Sequence, residues 1–169
     1  MRYKIIACIN HSFALGHDGK LMYHMSNDLK NFKRITIDSV VIMGRKTYES
    51  LPNKPLPNRV NVIITSKENY SADGCFVVHS IDECIKLCED MFSYKDCYVI
   101  GGGEIYNQFI ERDLIDTMYI TNVNDNEEGD SYFPNVLMDN DRWRIFYQSD
   151  TQFDRPSKKQ YYFTIYKRV

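Results

Sequence analysis

Short apolar runs alternate along the chain with longer amphipathic stretches. The runs at 3–9, 39–43, 60–65, 75–79 and 96–100 are β-branched and lack polar alternation, which predicts strands buried on both faces. Helical patterns separate most of them. The stretch opening Ser26-Asn27-Asp28-Leu29 predicts a helix over 26–36 with a plausible N-cap, and with Leu29, Phe32 and Lys33 near one face. Ser80-Ile81-Asp82-Glu83 reads as a capping box opening a helix to Met91, with Ile81, Cys84, Ile85 and Cys88 inward. A third helix is predicted from Gly103 to Arg112, apolar at Ile105, Phe109 and Ile110. Such alternation implies parallel pairing through right-handed crossovers. After Ile115 the period changes, and Thr117–Val123, Trp143–Ser149 and Gln160–Lys167 read as successive strands. The predicted fold class is α/β: a mixed, mainly parallel central sheet with antiparallel C-terminal edge strands and helices on both faces. No repeat or linker interrupts it, and the proline-rich stretch 52–58 is a stiff loop too short to separate domains, so 1–169 reads as one domain.

Bulk properties narrow the function. A chain of 169 residues can bury roughly two-thirds of its unfolded surface without staples. The net charge of −2 argues against a general nucleic-acid binder, and no basic stripe interleaves the 13 tyrosines and 9 phenylalanines. No apolar run approaches the ~20 residues of a membrane span. The opening Met-Arg-Tyr-Lys-Ile-Ile-Ala-Cys enters a strand without a signal-peptide pattern, so a cytoplasmic monomer is expected. The five cysteines include no C-x-x-C pair. Cys84 and Cys88 share a helix face, but no nearby histidine or acid completes a metal site, and both read as small buried apolar residues. No metal is expected. The acidic run Asp125–Asp130 reads as a solvated hairpin loop.

Candidate chemistry sits at two strand–helix junctions. Val41-Ile42-Met43-Gly44 runs into a helix opening with Arg45, Lys46 and Thr47. A helix N-terminus offers free N–H groups and a positive dipole end; two cations there oppose the dipole unless an anion sits beside them. A plain junction with solvated cations is an equal reading of this segment alone. Ile100-Gly101-Gly102-Gly103-Glu104-Ile105-Tyr106 shifts the balance, because three glycines weaken both elements and suggest close approach of a ligand. Two such junctions at neighbouring strand ends can clamp a pyrophosphate. Thr65-Ser66-Lys67, at the end of another strand, suits an additional phosphate and favours NADP(H) over NAD(H). Asp28 at a helix start is most often a dipole-compensating surface acid. Its i, i+4 spacing from Phe32 also suits a flat, amidine-bearing heterocycle, with paired N–H bonds to the acid and the ring packed on its face.

Together Ile6-Ala7-Cys8, Gly16, Asp28-Leu29 with Phe32-Lys33, the 41–51 segment, Pro55-Leu56-Pro57-Asn58-Arg59, the glycine run, Thr121 and Glu128-Gly129-Asp130-Ser131-Tyr132-Phe133-Pro134 resemble dihydrofolate reductase from Tyr3 to Arg168. The resemblance implies reduction of 7,8-dihydrofolate by NADPH, and binding of antifolates. Asp28 would hold the pterin 2-amino group and N3, with Thr121 assisting through water and Tyr23 as the third member of the catalytic group. Phe32 and Leu51 would line the ring slot, Arg59 would pair with the glutamate α-carboxylate, and Ile6 and Ile100 would offer carbonyls to the pterin edge. For the cofactor, it implies Ala7 and Cys8 at the nicotinamide and Leu15, Gly16 and Lys20 on a lid spanning Asn10–His24, braced by Gly129-Asp130. Gly44, Arg45, Lys46 and Thr47 would hold the pyrophosphate with Gly101, Gly102, Gly103, Glu104, Ile105 and Tyr106. Gly101-Gly102 would be a cis peptide, and Arg45, Thr65 and Ser66 would take the 2′-phosphate. The chain departs from the family at Met22-Tyr23, where Pro-Trp is usual, and at Met25-Ser26, where Leu-Pro is common; two missing prolines loosen a lid. Lys54 becomes an ambiguous second carboxylate contact. Two other readings are a pyrimidine-nucleotide reductase of the riboflavin pathway, opposed by Arg59 and Asp28, and a non-catalytic nucleotide-binding module, in which Asp28, Phe32, Thr121 and Arg59 have no purpose.

Overall fold

The structure, a computed structural model, describes residues 3–169; Met1 and Arg2, where the predicted domain begins, lie outside the described residues. In chain order, β1 (Tyr3–Asn10), β2 (Ala14–His17) and β3 (Lys20–Leu21) precede α1 (Ser26–Thr36). Then come β4 (Val40–Gly44), α2 (Arg45–Ser50), β5 (Val60–Ile64), β6 (Cys75–Val78), α3 (Ile81–Met91), β7 (Cys97–Gly101) and α4 (Gly103–Glu111). The chain closes with β8 (Ile115–Val123), β9 (Ser131–Tyr132), β10 (Trp143–Gln148), β11 (Gln152–Asp154) and β12 (Lys159–Arg168).

Nine strands form one sheet in the order β10-β12-β8-β1-β7-β4-β5-β6, with β11 paired on β12. From β8 to β6 every pairing is parallel, and β12 pairs antiparallel with β8 and β10. The reversal therefore comes one strand after the change of period: β8 still runs parallel to β1. A small sheet, β3-β2-β9, was not predicted from the sequence. Its strands have two to four residues and include Gly16, too short for any period to register.

The sheet's central strands are apolar on both faces, as the unbroken runs require. On one face Tyr3, Ile5, Ile9, Val40 and Ile42 pack with Cys84, Cys88 and Phe109 from α3 and α4. Tyr3 and Phe109 meet edge to face, ring centroids 5.3 Å apart. Val41, Met43 and Ile63 emerge on the other face and pack with Tyr48. Each fully buried aliphatic side chain contributes about 1.5–3 kcal/mol. α3 begins as read: the Ser80 hydroxyl accepts the Glu83 N–H at 3.1 Å, while Glu83 reaches back to the His79 N–H rather than to the cap residue.

α1 differs from its prediction. Its N-cap is Met25, without a side-chain cap, and Ser26 is already helical. Leu29 is 46% exposed and Lys33 is exposed, while Asp28, Asn31, Phe32 and Ile35 are half-buried. Among its residues only Thr36 is fully buried, and a cavity lies between Asn31, Arg34, Ile35 and the sheet.

Candidate active site

The parallel order brings the carboxyl ends of β7, β4 and β5 side by side. β4 ends at Gly44 and β7 at Gly101; α2 and α4 start immediately beyond them, behind the cap residues Gly44 and Gly102. Neither cap supplies a side-chain acceptor, so both first turns keep backbone N–H groups for another anion. Gly101 has φ +138°, a conformation that only glycine adopts readily, and the Gly101-Gly102 peptide is cis, as the resemblance implied. The Thr47 hydroxyl lies against both glycines, 3.4 Å from where a Cβ would stand on either. Arg45 pairs with Glu49 along α2, and Lys46 stands in the same first turn. Glu104, unfavourable beside a phosphate, accepts a bond from Gln108 along α4 at 3.1 Å. Beyond β5, the Thr65 carbonyl meets His79 Nδ1 at 2.8 Å, its hydroxyl accepts the Lys67 N–H at 3.2 Å, and Ser66 is exposed.

The carboxylate lies at the other side of the cleft. Asp28 Oδ1 accepts the Thr121 hydroxyl at 2.6 Å, joining the first turn of α1 to β8. Burial raises the Asp28 carboxyl above its ordinary 3.8, and bonds from Thr121 and the Cys8 thiol pull in the opposite direction. Cys8, read from sequence only as a backbone contact, thus has its side chain against the acid; burial and the Asp28 charge push the thiol well above 9.0. The Ile6 carbonyl accepts the buried Tyr106 hydroxyl at 2.8 Å, which ties β1 to α4. Burial raises that phenol as well.

Phe32 faces Arg59, whose guanidinium lies 6.0 Å from the ring centroid. Arg59 donates through Nε to the Pro57 carbonyl at 2.9 Å and through Nη1 to Thr36 Oγ1 at 3.1 Å, leaving the Nη2 side of the fork for a carboxylate. Thr36 in turn donates to the Phe32 carbonyl at 2.8 Å, so Arg59 is held by the helix that carries Asp28. Sequence reading did not find Thr36, because a threonine ending a helix carries no signal of its own. Leu51 and Ile100 are half-buried against Tyr48 and Leu56. Lys54 is turned away from Arg59's role: its ammonium donates to the Glu49 carbonyl at 2.8 Å.

The segment Asn10–His24, expected to act as a lid, is tied down at both ends. β2, which carries Leu15 and Gly16, pairs with β9; Lys20 lies exposed on β3. Asp130 N–H donates to the Gly16 carbonyl and its carboxylate accepts the Asp18 N–H, each at 2.9 Å. A Cβ on Gly129 would overlap the Gly16 carbonyl oxygen. At the other end, the buried Asn10 accepts the Ser12 and Ala14 N–H groups at 2.9 and 3.1 Å. Its amide donates to the Glu127 carbonyl at 2.6 Å and the Tyr23 hydroxyl at 3.0 Å. Tyr23 donates to Asp125, which also holds Lys159 at 3.1 Å. Asp125 is therefore no solvated loop acid: its side chain is 18% exposed. Its bonds from Tyr23 and Lys159 hold it below 3.8 against burial. Sequence reading did not find this network; the buried Asn10 closing a mostly apolar strand is the one signal from which it could have been found.

Comparison with known proteins gives a consistent result. The family model described as dihydrofolate reductase matches residues 2–168. The dihydrofolate reductase of Bacillus subtilis is 34% identical over 91% of this chain and 87% of its own length. That of Staphylococcus haemolyticus is 30% identical over 100% and 97%. The structure of the Enterococcus faecalis dihydrofolate reductase complexed with NADP(H) and RAB-propyl superposes with a TM-score of 0.86 at 30% identity, covering 99% of this chain and 96% of that one.

Proposed function

The chain belongs to the dihydrofolate reductase family, and from that premise we propose that it reduces 7,8-dihydrofolate to tetrahydrofolate with NADPH. The observation that carries the reading is the half-buried Asp28–Thr121 pair beside Phe32 and Arg59. When bound, NADPH supplies the hydride, from nicotinamide C4 to pterin C6. The residues present fit it: two uncapped helix N-termini, the cations of α2 and the Gly101 backbone answer an extended anion, and Arg45, Thr65 and Ser66 answer one further phosphate.

The remaining work falls to side chains. Asp28 accepts the paired N–H groups of the pterin amidine and fixes the ring, and its charge favours protonation at N5 by water. Thr121, already bonded to that carboxylate, holds it in one rotamer. Phe32 and Leu51 cover the ring, and Arg59 takes the glutamate α-carboxylate through its free fork edge. Ile6 and Ile100 present carbonyls to the pterin edge; Ala7, Cys8 and the lid residues Leu15, Gly16 and Lys20 line the nicotinamide end. Tyr23, fixed by Asp125 and Asn10, orders the lid rather than touching the reacting atoms. Antifolates occupy the same ring slot, and the protein works as a cytoplasmic monomer; among the described residues no helix is long and apolar enough to cross a membrane.

The test is NADPH oxidation followed by absorbance with and without dihydrofolate. Dihydrofolate-dependent turnover is expected; its absence, or turnover only with a pyrimidine-nucleotide substrate, would overturn the assignment.

A further inference from the structure

α1 has a second flank. Asn31, Arg34 and Ile35 line a cavity of about 440 Å³ whose floor includes Ile6 and Thr121, but neither Asp28 nor Phe32 borders it. It is therefore distinct from the cleft above, although the two share a helix and a floor. Its volume is that of a small-molecule site.

The walls are aromatic, with phenol and threonine hydroxyls among them. Tyr98, Tyr119, Tyr147 and Phe163 rise from the sheet around it, with Tyr98 and Tyr119 ring centroids 6.1 Å apart. Among the described residues, neither the Tyr98 nor the Tyr119 hydroxyl meets a hydrogen-bond partner. Opposite these rings α1 presents the short amide Asn31, which leaves the space unfilled.

The mouth is cationic. Arg34 donates through Nη2 to Asn31 Oδ1 at 2.7 Å, and no carboxylate partners it among the described residues. An adjoining cavity of about 210 Å³ shares Asn31, Arg34 and Phe163 and adds Asn27 and Lys30, a second cation without an acid. No aspartate or glutamate lines either space. Asn31 orients the guanidinium while engaging one nitrogen, so the rest of the planar fork is free for a ligand.

We propose that this cavity is a second binding site, for a small aromatic carboxylate: the ring between the Tyr98, Tyr119 and Phe163 side chains, the carboxylate on Arg34. Aromatic walls select a flat ring system. A guanidinium with no internal partner selects a carboxylate in its plane. Asn31 and Arg34 lie one and two turns beyond Asp28 on the same helix, and Thr121 borders both sites.

The probe is 2-naphthoate, titrated calorimetrically into the full chain, first ligand-free and then saturated with NADPH and methotrexate to fill the substrate cleft. One naphthoate per chain is expected in both states. Arg34→Gln, a surface change that spares the fold, weakens binding about tenfold or more, as does replacing the probe by neutral 2-naphthamide. Asn31→Trp fills the cavity and abolishes binding. Absence of binding, binding lost once methotrexate is present, equal affinity for the amide, or unchanged binding in either variant would each overturn the proposal. Failure of methotrexate to bind would instead count against the reductase reading and leave the ligand-free titration standing.

Discussion

Burial raises the Asp28 carboxyl, so the folded protein prefers it protonated relative to the unfolded chain. Between the unfolded value near 3.8 and the higher folded one, the native state binds more protons, and stability falls as pH rises through that window. Asp28→Asn keeps an acceptor for Thr121 and removes the charge. At pH 7 the variant is expected to melt at or above the temperature of the parent, with the gap closing toward pH 4, by circular dichroism. Hydride transfer measured in a single turnover at neutral pH is expected to fall about a hundredfold or more. Near-normal transfer would remove Asp28 from the mechanism. Arg59→Ala loses only substrate binding: KM for dihydrofolate rises about tenfold to a hundredfold with kcat little changed, while a pterin lacking the glutamate is reduced as before. Asp28 stood out in the sequence through its spacing from Phe32, though a surface acid was the commoner reading, and Arg59 only through the family resemblance. The Cys8 thiol was not legible, since nothing in an apolar strand tells which face a small residue turns toward an acid on a distant helix.

At the scale of elements, the proposed lid depends on tethers rather than on its own stiffness. Met22-Tyr23 and Met25-Ser26 supply no proline, and the structure places Asn10, Tyr23 and Asp125 where they fix the segment from both sides. Asp125 is depressed by these bonds, so its contribution persists above its unfolded value and is lost only as pH falls through the lower folded one. Tyr23→Phe is expected to slow single-turnover hydride transfer and speed NADPH release about five- to thirtyfold, the equivalent of 1–2 kcal/mol. Combined with Asp125→Asn in a double-mutant cycle, the losses fall short of additivity by about 1 kcal/mol. Additive losses would mean the two residues act separately. β2, β3 and β9, which carry this lid and its brace, escaped the sequence because pairing between distant short strands leaves no local period. α1 was found from its pattern, but the pattern grouped Leu29, Phe32 and Lys33 without telling which would be covered: Leu29 and Lys33 are exposed and Phe32 half-buried.

The whole molecule sets the carboxyl ends of β7, β4 and β5, the proposed anion-binding ends, side by side, a placement fixed by their parallel order. That much was legible, because runs such as Val40–Gly44 and Cys97–Gly101 are too apolar for anything but a central strand. Ligand that binds only the folded chain stabilises it by about 2.7 kcal/mol at a hundred times Kd, or roughly 5–10 °C for a domain of this size. NADPH is expected to produce that shift in a melting experiment, NADH a smaller one. Ser66→Ala with Arg45→Gln should bring the two cofactors together. Equal shifts in the unaltered protein would remove the 2′-phosphate site.

The contact between Cys8 and Asp28 makes the thiol a gauge of its neighbour's charge. Burial, and beyond it the ionised acid, suppress thiolate formation, and iodoacetamide should label Cys8 sluggishly at neutral pH. Removing the charge in Asp28→Asn should quicken alkylation, which mass spectrometry of the peptide would time directly.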